Sequence, residues 1–325
     1  MLAKAIRIAA TGGPEVMEYV ELEAPAPGPG EARIVQHAIG LNFIDVYFRT
    51  GLYPQPLPGL LGKEGAGVVE AVGEGVTHVK PGDRVAYAGG PLGAYASART
   101  MPARFLVKLP ESIDFETAAA MMLQGLTVQD LLRQTYQVKA GDTILFHAAA
   151  GGVGLIACQW ARALGVNLIG TVGSQEKGEL ALAHGAAHVI NYRNEDIAAR
   201  VREITKGEGV PVVYDSIGKD TFIASLDCLQ RRGLMVSFGN ASGAVEPFAP
   251  AELSKRGSLF LTRPTLFDYM ATQEEQEAMT SELFEMVGSG RVLVEVHQRF
   301  ALAQAADAHR ALEARSTTGS TVLLP

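Results

Sequence analysis

The sequence predicts an α/β protein in which a doubly wound parallel sheet is joined to a smaller β-rich domain. Between residues 143 and 238, short apolar segments alternate with helical ones, and glycines follow several of the helices. The first 110 residues instead carry short β-like runs separated by Gly- and Pro-rich turns, which is typical of a small barrel or sandwich. A length of 325 residues is sufficient for two domains with large cores.

The β-rich part and its end are marked by local patterns. Its clearest strands are predicted at 32–37, 67–72 and 84–88. A helical pattern from 116 to 134 follows, so we expect this domain to comprise residues 1–123.

The parallel-sheet domain is expected to comprise residues 124–262. Its predicted strands are 143–148, 167–172, 188–191, 210–214 and 233–238, and its predicted helices are 153–164, 175–184, 195–205 and 221–229. The remaining segment, 263–325, carries a predicted helix at 274–287, a strand at 292–296 and a helix at 302–313. We expect this segment to return to the first domain.

Composition and charge exclude several classes of protein. A net charge of −7 argues against a general nucleic-acid binder. Two cysteines cannot form a disulfide framework in a chain of this size, and they favour a reducing compartment. Residues 143–161 lack charged side chains, but His147 and three glycines interrupt them, which predicts a strand, a turn and a helix rather than a membrane span. With no signal-peptide pattern at the N-terminus, a cytoplasmic enzyme is expected.

A glycine-rich turn lies between the first predicted strand and helix of the parallel sheet. Residues 147–154 read HAAAGGVG, in the context that a dinucleotide-binding fingerprint requires. Gly151 would let a pyrophosphate approach the backbone, and Gly154 would let the helix pack closely on the strand. Ala149 replaces the first glycine of the usual motif, so an ordinary tight turn is the alternative. The surrounding strand–helix repeats favour the dinucleotide site.

The end of the second strand discriminates between cofactors, because NAD sites commonly carry Asp or Glu there. Here Gly173 and Ser174 follow the strand, Lys177 offers a cation for a 2′-phosphate, and the helix is expected to point Glu176 away. This pattern predicts NADPH, although Lys177 has the alternative of a solvated surface lysine. Tyr192 ends the third strand, where its hydroxyl could reach the adenosine phosphate or be merely exposed.

Eight motifs spread over the whole chain belong together. They are NFID with Tyr47 (42–47), RTGLY (49–53), GKEGAGV (62–68), GDRV (82–85), GLT (125–127), the glycine turn (147–154), YDS (214–216) and RRGLMVSFG (231–239). In this order they resemble the bacterial members of the zeta-crystallin-like quinone oxidoreductases, in the medium-chain dehydrogenase/reductase superfamily.

The resemblance implies a GroES-like β-rich catalytic domain, a Rossmann domain and an NADPH-dependent enzyme. It places Asn42 and Tyr47 beside the nicotinamide and the substrate, as the catalytic residues. Together with these two, the implied cofactor contacts are Thr127, Gly152, Val153, Gly173, Ser174, Lys177, Tyr192, Phe238, Gly239, Arg263 and Arg315.

No metal site is expected. Zinc alcohol dehydrogenases of the same superfamily carry Cys where Asn42 stands, His-Glu where Lys63-Glu64 stands, and a lobe with four cysteines. A protonated lysine cannot ligate zinc, and two cysteines elsewhere cannot replace the missing ligands.

Hydride transfer from NADPH to a small quinone is therefore the expected reaction, with a proton from water or Tyr47. Reduction of α,β-unsaturated carbonyl compounds is an alternative, and so is a non-enzymatic role as an NADPH- or RNA-binding protein. The apolar run 258–262 follows the last strand of the parallel sheet, and its pairing with its own copy across a two-fold axis predicts a homodimer; a strand buried inside one subunit is the alternative.

Overall fold

The computed structural model describes all 325 residues, which form two compact units. The first unit comprises Met1–Leu126 and Val294–Pro325, and the second comprises Thr127–Leu293. Residues 263–293, which the sequence analysis assigned to the returning segment, thus lie in the second unit. One cause is a pair of hydrogen bonds within the second unit: the Glu282 carboxylate accepts from Gln129 Nε2 at 2.9 Å and from Arg133 Nε at 3.0 Å.

The first unit is built mainly of antiparallel strands. They are β1 (Leu2–Ile8), β2 (Met17–Glu23), β3 (Glu31–Leu41), β4 (Gly59–Leu60), β5 (Glu64–Val72), β6 (Arg84–Ala88), β7 (Ala98–Pro102), β8 (Val107–Lys108), β15 (Val296–Ala301) and β16 (Ser320–Leu324). One sheet has the order β15-β16-β3-β5-β6-β8, with β7 also paired to β3, and a smaller sheet has the order β2-β1-β4. Inward-facing residues of β1, β3, β5 and β6 form the core of this unit.

Three helices belong wholly or partly to this unit. They are α1 (Phe43–Thr50), α2 (Phe115–Gln129) and α10 (Ala305–Glu313). Helix α1 was not predicted, and it begins directly after the long strand β3. Helix α2 continues into a π-helical turn at Asp130–Thr135. The helix and this turn together cover the helical pattern predicted for 116–134.

The second unit is a six-stranded parallel sheet with helices between its strands. The strands are β9 (Thr143–Phe146), β10 (Asn167–Val172), β11 (His188–Asn191), β12 (Val210–Asp215), β13 (Leu229–Ser237) and β14 (Phe260–Thr262). The helices are α3 (Gly152–Ala163), α4 (Gln175–Ala183), α5 (Ile197–Ile204), α6 (Phe222–Cys228), α7 (Ala251–Lys255), α8 (Leu266–Tyr269) and α9 (Gln273–Gly288).

The strand order β11-β10-β9-β12-β13-β14 confirms the predicted doubly wound sheet. The order reverses between β9 and β12, and at such a switch point the carboxyl ends of the strands form a crevice for ligands. Two predicted helix ends are also seen, because Gly165 and Gly185 adopt positive φ angles of 72° and 107°. Residues 143–161 form a strand, a turn and a helix, and no helix of the chain is long and apolar enough to span a membrane.

The strand predicted at 292–296 is wrong, since the strand β15 begins only at Val296. Val292 is fully buried and its N–H donates to Met286 O at 3.0 Å, while Leu293 N–H donates to Gln159 Oε1 at 2.8 Å. These backbone groups are therefore bound to the second unit rather than to a sheet.

Candidate functional site

The glycine turn of the second unit joins β9 to α3. Gly152 and Val153 form the first turn of α3, which has no acidic residue there and no side chain capping its N–H groups. The amide groups and the helix dipole therefore favour a bound anion. A Cβ on Gly154 would lie 2.6 Å from Ala149 Cα, so only glycine allows this close approach of helix and turn.

A buried chain of hydrogen bonds holds this turn at the switch point. Ser225 Oγ donates its one hydrogen to Asp215 Oδ2 at 2.8 Å, so it can only accept from His147. His147 therefore carries its proton on Nε2, which donates to Ser225 Oγ at 2.9 Å, and His147 Nδ1 accepts from Thr171 Oγ1 at 2.9 Å. Burial lowers the pKa of His147, which agrees with a neutral ring. His147 thus fixes the end of β9 between β10 and α6.

Four predicted cofactor residues lie together at the end of β10. Ser174 Oγ accepts from Lys177 N–H at 3.3 Å at the start of α4, and Tyr192 N–H donates to Val172 O at 3.1 Å. A Cβ on Gly173 would lie 2.5 Å from Tyr192 Oη, so the tyrosine hydroxyl rests directly over this glycine. Tyr192 is 40% exposed, which leaves its hydroxyl accessible to a ligand.

Glu176 also contacts this group, and the expectation that the helix would point it away is wrong. A hydrogen bond with the Ser174 side chain holds the pKa of the Glu176 carboxyl below its ordinary value. The group at the end of β10 therefore contains a carboxylate that opposes binding of a second negative charge.

The remaining predicted residues of the second unit lie at the ends of β12 to β14 and on α2. Phe238 N–H donates to Asp215 O at 2.8 Å, and a Cβ on Gly239 would lie 2.8 Å from Ser216 Cα. Arg263 Nη1 donates to Ser237 O at 2.9 Å. Thr127 is half-buried on α2. Phe238, Gly239 and Arg263 thus lie at the carboxyl ends of the parallel strands, which is the edge where such sheets bind ligands.

Asn42 and its partners form a polar cluster in the first unit. Asn42 Nδ2 donates to Glu64 Oε2 at 2.6 Å, and Asn42 Oδ1 accepts from Gln124 Nε2 at 3.2 Å. Glu64 Oε1 accepts from the Leu123 N–H at 2.7 Å, and Gln124 Oε1 accepts from Ser320 Oγ at 2.9 Å. Burial raises the pKa of Glu64 to about 8, against the lowering effect of the hydrogen bond from Asn42.

Tyr47 lies one turn along α1 in an aromatic group. Its ring is 5.2 Å from that of Tyr53 in an edge-on arrangement and 6.4 Å from that of Phe43. Lys63 Nζ lies 5.6 Å from the ring centroid of Phe48 and donates to Gly90 O at 2.6 Å. Tyr53 belongs to the RTGLY motif, which could have identified it as a further site residue.

A second buried chain of hydrogen bonds supports the start of α1. Arg49 Nη1 donates to His309 Nδ1 at 3.0 Å, and Arg49 Nη1 and Nη2 donate to the two Glu313 carboxylate oxygens at 2.8 and 2.7 Å. Since a guanidinium only donates, the His309 proton is on Nε2, which donates to Tyr95 Oη at 3.0 Å. Tyr95 then donates to Asp45 Oδ2 at 3.0 Å.

Asp45 completes this chain by accepting the Asn42 N–H at 2.9 Å. Burial raises the pKa of Asp45 to about 7 and lowers that of His309 to about 3. Sequence reasoning missed Asp45, Tyr95 and His309 because their partners are remote along the chain.

Arg315 lies in the first unit, exposed and just beyond α10, with a φ of 56°. No group of three or more His, Cys, Asp or Glu side chains in the chain is arranged to hold a metal ion. Both cysteines are free and buried.

Comparisons with known proteins agree over the whole chain. The family model described as the alcohol dehydrogenase GroES-like domain matches residues 28–111, and that described as zinc-binding dehydrogenase matches residues 152–287. A quinone oxidoreductase of Pseudomonas aeruginosa is 61% identical over 325 residues, covering 100% of both chains. A 2-haloacrylate reductase of a Burkholderia species is 48% identical, covering 97% of this chain and 96% of the relative.

A solved structure extends the likeness to the fold. The Escherichia coli quinone oxidoreductase complexed with NADPH superposes with a TM-score of 0.98 at 53% identity, covering 99% of this chain and 100% of that one. The resemblance first indicated by eight sequence motifs is thereby confirmed: the chain belongs to the bacterial quinone oxidoreductases of the medium-chain dehydrogenase/reductase superfamily.

Proposed function

We propose that the chain is an NADPH-dependent quinone reductase that transfers a hydride from NADPH to a small quinone. The observation that carries the proposal is the group at the end of β10, where Tyr192 Oη lies over Gly173, Ser174 accepts the Lys177 N–H, and no Asp or Glu occupies the two positions after the strand. The names of the relatives, quinone oxidoreductase among them, support the choice of acceptor.

Residues of the second unit bind the cofactor. The free N–H groups at the start of α3, at Gly152 and Val153, bind the pyrophosphate with the help of the helix dipole. Lys177 supplies a positive charge, and Ser174 and Tyr192 supply hydroxyls, for the 2′-phosphate that distinguishes NADPH from NADH. Thr127, Phe238, Gly239, Arg263 and, from the first unit, Arg315 are proposed as the remaining contacts.

The chemical step depends on Asn42 and Tyr47. When bound, NADPH supplies the hydride through its reduced nicotinamide. Asn42, whose backbone N–H is held by Asp45 at the start of α1, and Tyr47, one turn further along, orient the reacting groups through their side-chain hydrogen-bonding atoms. The proton for the reduced quinone comes from the Tyr47 hydroxyl or from water.

Steady-state consumption of NADPH by the purified protein tests this function. We expect turnover with small quinones, a lower kcat/KM with NADH, and no appreciable oxidation of simple alcohols. Absence of turnover with every quinone would refute the proposed activity, and equal kcat/KM values for NADPH and NADH would refute the assignment of the β10 group.

Reduction of α,β-unsaturated carbonyl compounds is the second candidate, which the 48% identical 2-haloacrylate reductase favours. The hydride acceptor differs, but the positioning of the nicotinamide is the same. A panel of enones and 2-haloacrylates, assayed beside the quinones, decides by the ratio of the kcat/KM values.

The proposal includes a homodimer formed through β14. This strand is at the edge of the parallel sheet, and Phe260 and Leu261 are 57% and 39% exposed. An exposed apolar edge strand is an aggregation hazard unless a partner covers it, and pairing across a two-fold axis would extend both sheets. We also place the enzyme in the cytoplasm, where the free thiols of Cys158 and Cys228 would stay reduced.

A further inference from the structure

Asn42 occupies the N-cap position of α1, but its side chain does not cap the helix. An asparagine at this position ordinarily accepts a backbone N–H of the first turn, which stabilises a helix by about 1 kcal/mol. Here the backbone of Asn42 donates to the Asp45 carboxylate, while the side-chain amide is turned towards Glu64 and Gln124. The Asn42 side chain therefore bonds Glu64 and Gln124 instead of capping α1.

The orientation of this amide is determined by its two partners. Asn42 Nδ2 donates to Glu64 Oε2 at 2.6 Å, and this bond lowers the pKa of Glu64 against the raising effect of burial, so it favours the carboxylate form, which can only accept. On the other side, Gln124 Oε1 accepts from Ser320 Oγ at 2.9 Å and Gln124 Nε2 donates to Asn42 Oδ1 at 3.2 Å, which agrees with this orientation. One N–H and one oxygen lone pair of Asn42 remain for a ligand.

The environment of Glu64 explains why its carboxylate does not turn away. Glu64 is fully buried, and its other oxygen accepts from the Leu123 N–H at 2.7 Å. A Cβ on Gly40 would lie 2.6 Å from Glu64 Cδ, so the carboxyl group rests directly on β3. Burying a carboxyl group costs stability unless donors compensate for it, and here the donors are the Asn42 amide and the backbone N–H groups of Leu123 and Met122.

We propose that Glu64 is a positioning residue that fixes the Asn42 amide, so that the remaining Nδ2–H of Asn42 is presented to a carbonyl oxygen of the nicotinamide carboxamide or of the substrate. Glu64 itself touches neither. The inference rests on the proposed function, since it assigns a role in that same site.

Two variants at positions 42 and 64 distinguish this positioning role from a purely structural one: Glu64→Gln alone, and Glu64→Gln combined with Asn42→Asp. Glu64→Gln leaves only one acceptor for the N–H groups of Leu123 and Asn42, so the Asn42 amide loses its fixed orientation. The double variant Asn42→Asp with Glu64→Gln exchanges the partners. The new amide at position 64 accepts from Leu123 and donates to the new carboxylate at position 42, to which Gln124 also donates. The exchange keeps one buried carboxyl group and supplies partners for Leu123 and Gln124, but position 42 has no N–H to present.

The measurements are kcat/KM with NADPH and a quinone, the dissociation constant of NADPH by fluorescence, and the midpoint of thermal unfolding. Glu64→Gln is expected to lower kcat/KM by about 10- to 100-fold, the loss that one misplaced hydrogen bond produces. The double variant should have the wild-type midpoint of thermal unfolding, but its kcat/KM should be as low as that of Asn42→Ala, the reference variant that removes the amide. A weaker NADPH affinity would identify the nicotinamide carboxamide as the partner of Asn42, and an unchanged affinity would identify the substrate carbonyl.

Thr321→Val is the matched control, because it removes another buried hydroxyl of β16 from the face opposite to Ser320. Its kcat/KM should stay within about threefold of wild type. Should Glu64→Gln fail to fold, Gln124→Met should still lower kcat/KM by about three- to tenfold, because it removes the donor to Asn42 Oδ1 together with the acceptor of Ser320 Oγ.

Wild-type activity of Glu64→Gln, or of the double variant, would overturn the inference. A wild-type enzyme that reduces no quinone would instead overturn the proposed function, so the two failures are distinguishable.

Discussion

Replacing Tyr95 by Phe tests the buried chain of hydrogen bonds that supports the start of α1. The change removes one oxygen atom and leaves two buried groups without their partner: the His309 Nε2–H and one lone pair of Asp45 Oδ2. Both residues are fully buried, so water cannot replace the lost hydroxyl without further rearrangement. An unsatisfied buried donor costs about 1–3 kcal/mol, and a lost hydrogen bond to a carboxylate costs about 1.5–3 kcal/mol.

The destabilisation should depend on pH with a definite sign. Burial raises the pKa of Asp45 to about 7, and the hydrogen bond from Tyr95 lowers it. Above that pKa the variant removes a donor from an ionised carboxylate, and below it only from a neutral one. We expect the free energy of unfolding to fall by about 3–5 kcal/mol at about pH 8.5 and by about 2–3 kcal/mol at about pH 5.5. His309 stays neutral at both pH values, because burial lowers its pKa to about 3.

Urea-induced unfolding at the two pH values measures the effect, with Tyr19→Phe as the matched control. Tyr19 lies on β2 and is 47% exposed, so its variant should stay within about 0.5 kcal/mol of wild type at both values. A loss for Tyr95→Phe below about 1 kcal/mol at the higher pH, or a larger loss at the lower pH, would refute the hydrogen-bond directions assigned to His309 and Tyr95.

Three further predictions concern the cofactor, the proton and the assembly. Lys177→Ala should weaken NADPH binding by about 10- to 100-fold, with NADH binding little changed. Glu176→Gln should strengthen NADPH binding by about two- to fivefold, because it removes a carboxylate beside the 2′-phosphate; titration by fluorescence measures both variants. Tyr47→Phe should lower kcat by about 10²–10⁴-fold if its hydroxyl is the proton donor, and a change under about threefold would assign the proton to water. Phe260→Glu should convert a dimer into a monomer in light scattering, and a wild-type protein that is monomeric at micromolar concentration would contradict the pairing of β14.

The glycine turn and the strand ends of the parallel sheet could be predicted because the relevant residues are neighbours in sequence. A turn such as 147–154 carries its own signal, in that the backbone approach of Gly154 to Ala149 leaves no room for a side chain. The preference for NADPH could likewise be predicted from Gly173 and Ser174, because these two residues come directly after a predicted strand. Glu176 was placed wrongly because its contact with Ser174 depends on the side-chain conformation at the start of α4.

The support of Asn42 could not be predicted, because its partners come from separate segments. Glu64 begins β5, Leu123 and Gln124 lie on α2, and Ser320 begins β16. Likewise, the pairing of Arg49 with His309 and Glu313 joins residues that are 260 and 264 positions apart, and no periodicity connects them.

The doubly wound sheet, the position of the dinucleotide turn and the family could all be inferred from the amino-acid sequence alone. These features follow from apolar periodicity and from glycines whose steric role is local. The tertiary structure, by contrast, fixed where β15 begins, since the apolar residues at 292 and 293 could extend this strand or pack within the second unit, and hydrogen bonds of their backbone N–H groups to Met286 and Gln159 settle this. It also decided which way the Asn42 amide faces, because a side-chain amide has no preferred orientation until its buried donors and acceptors are in place.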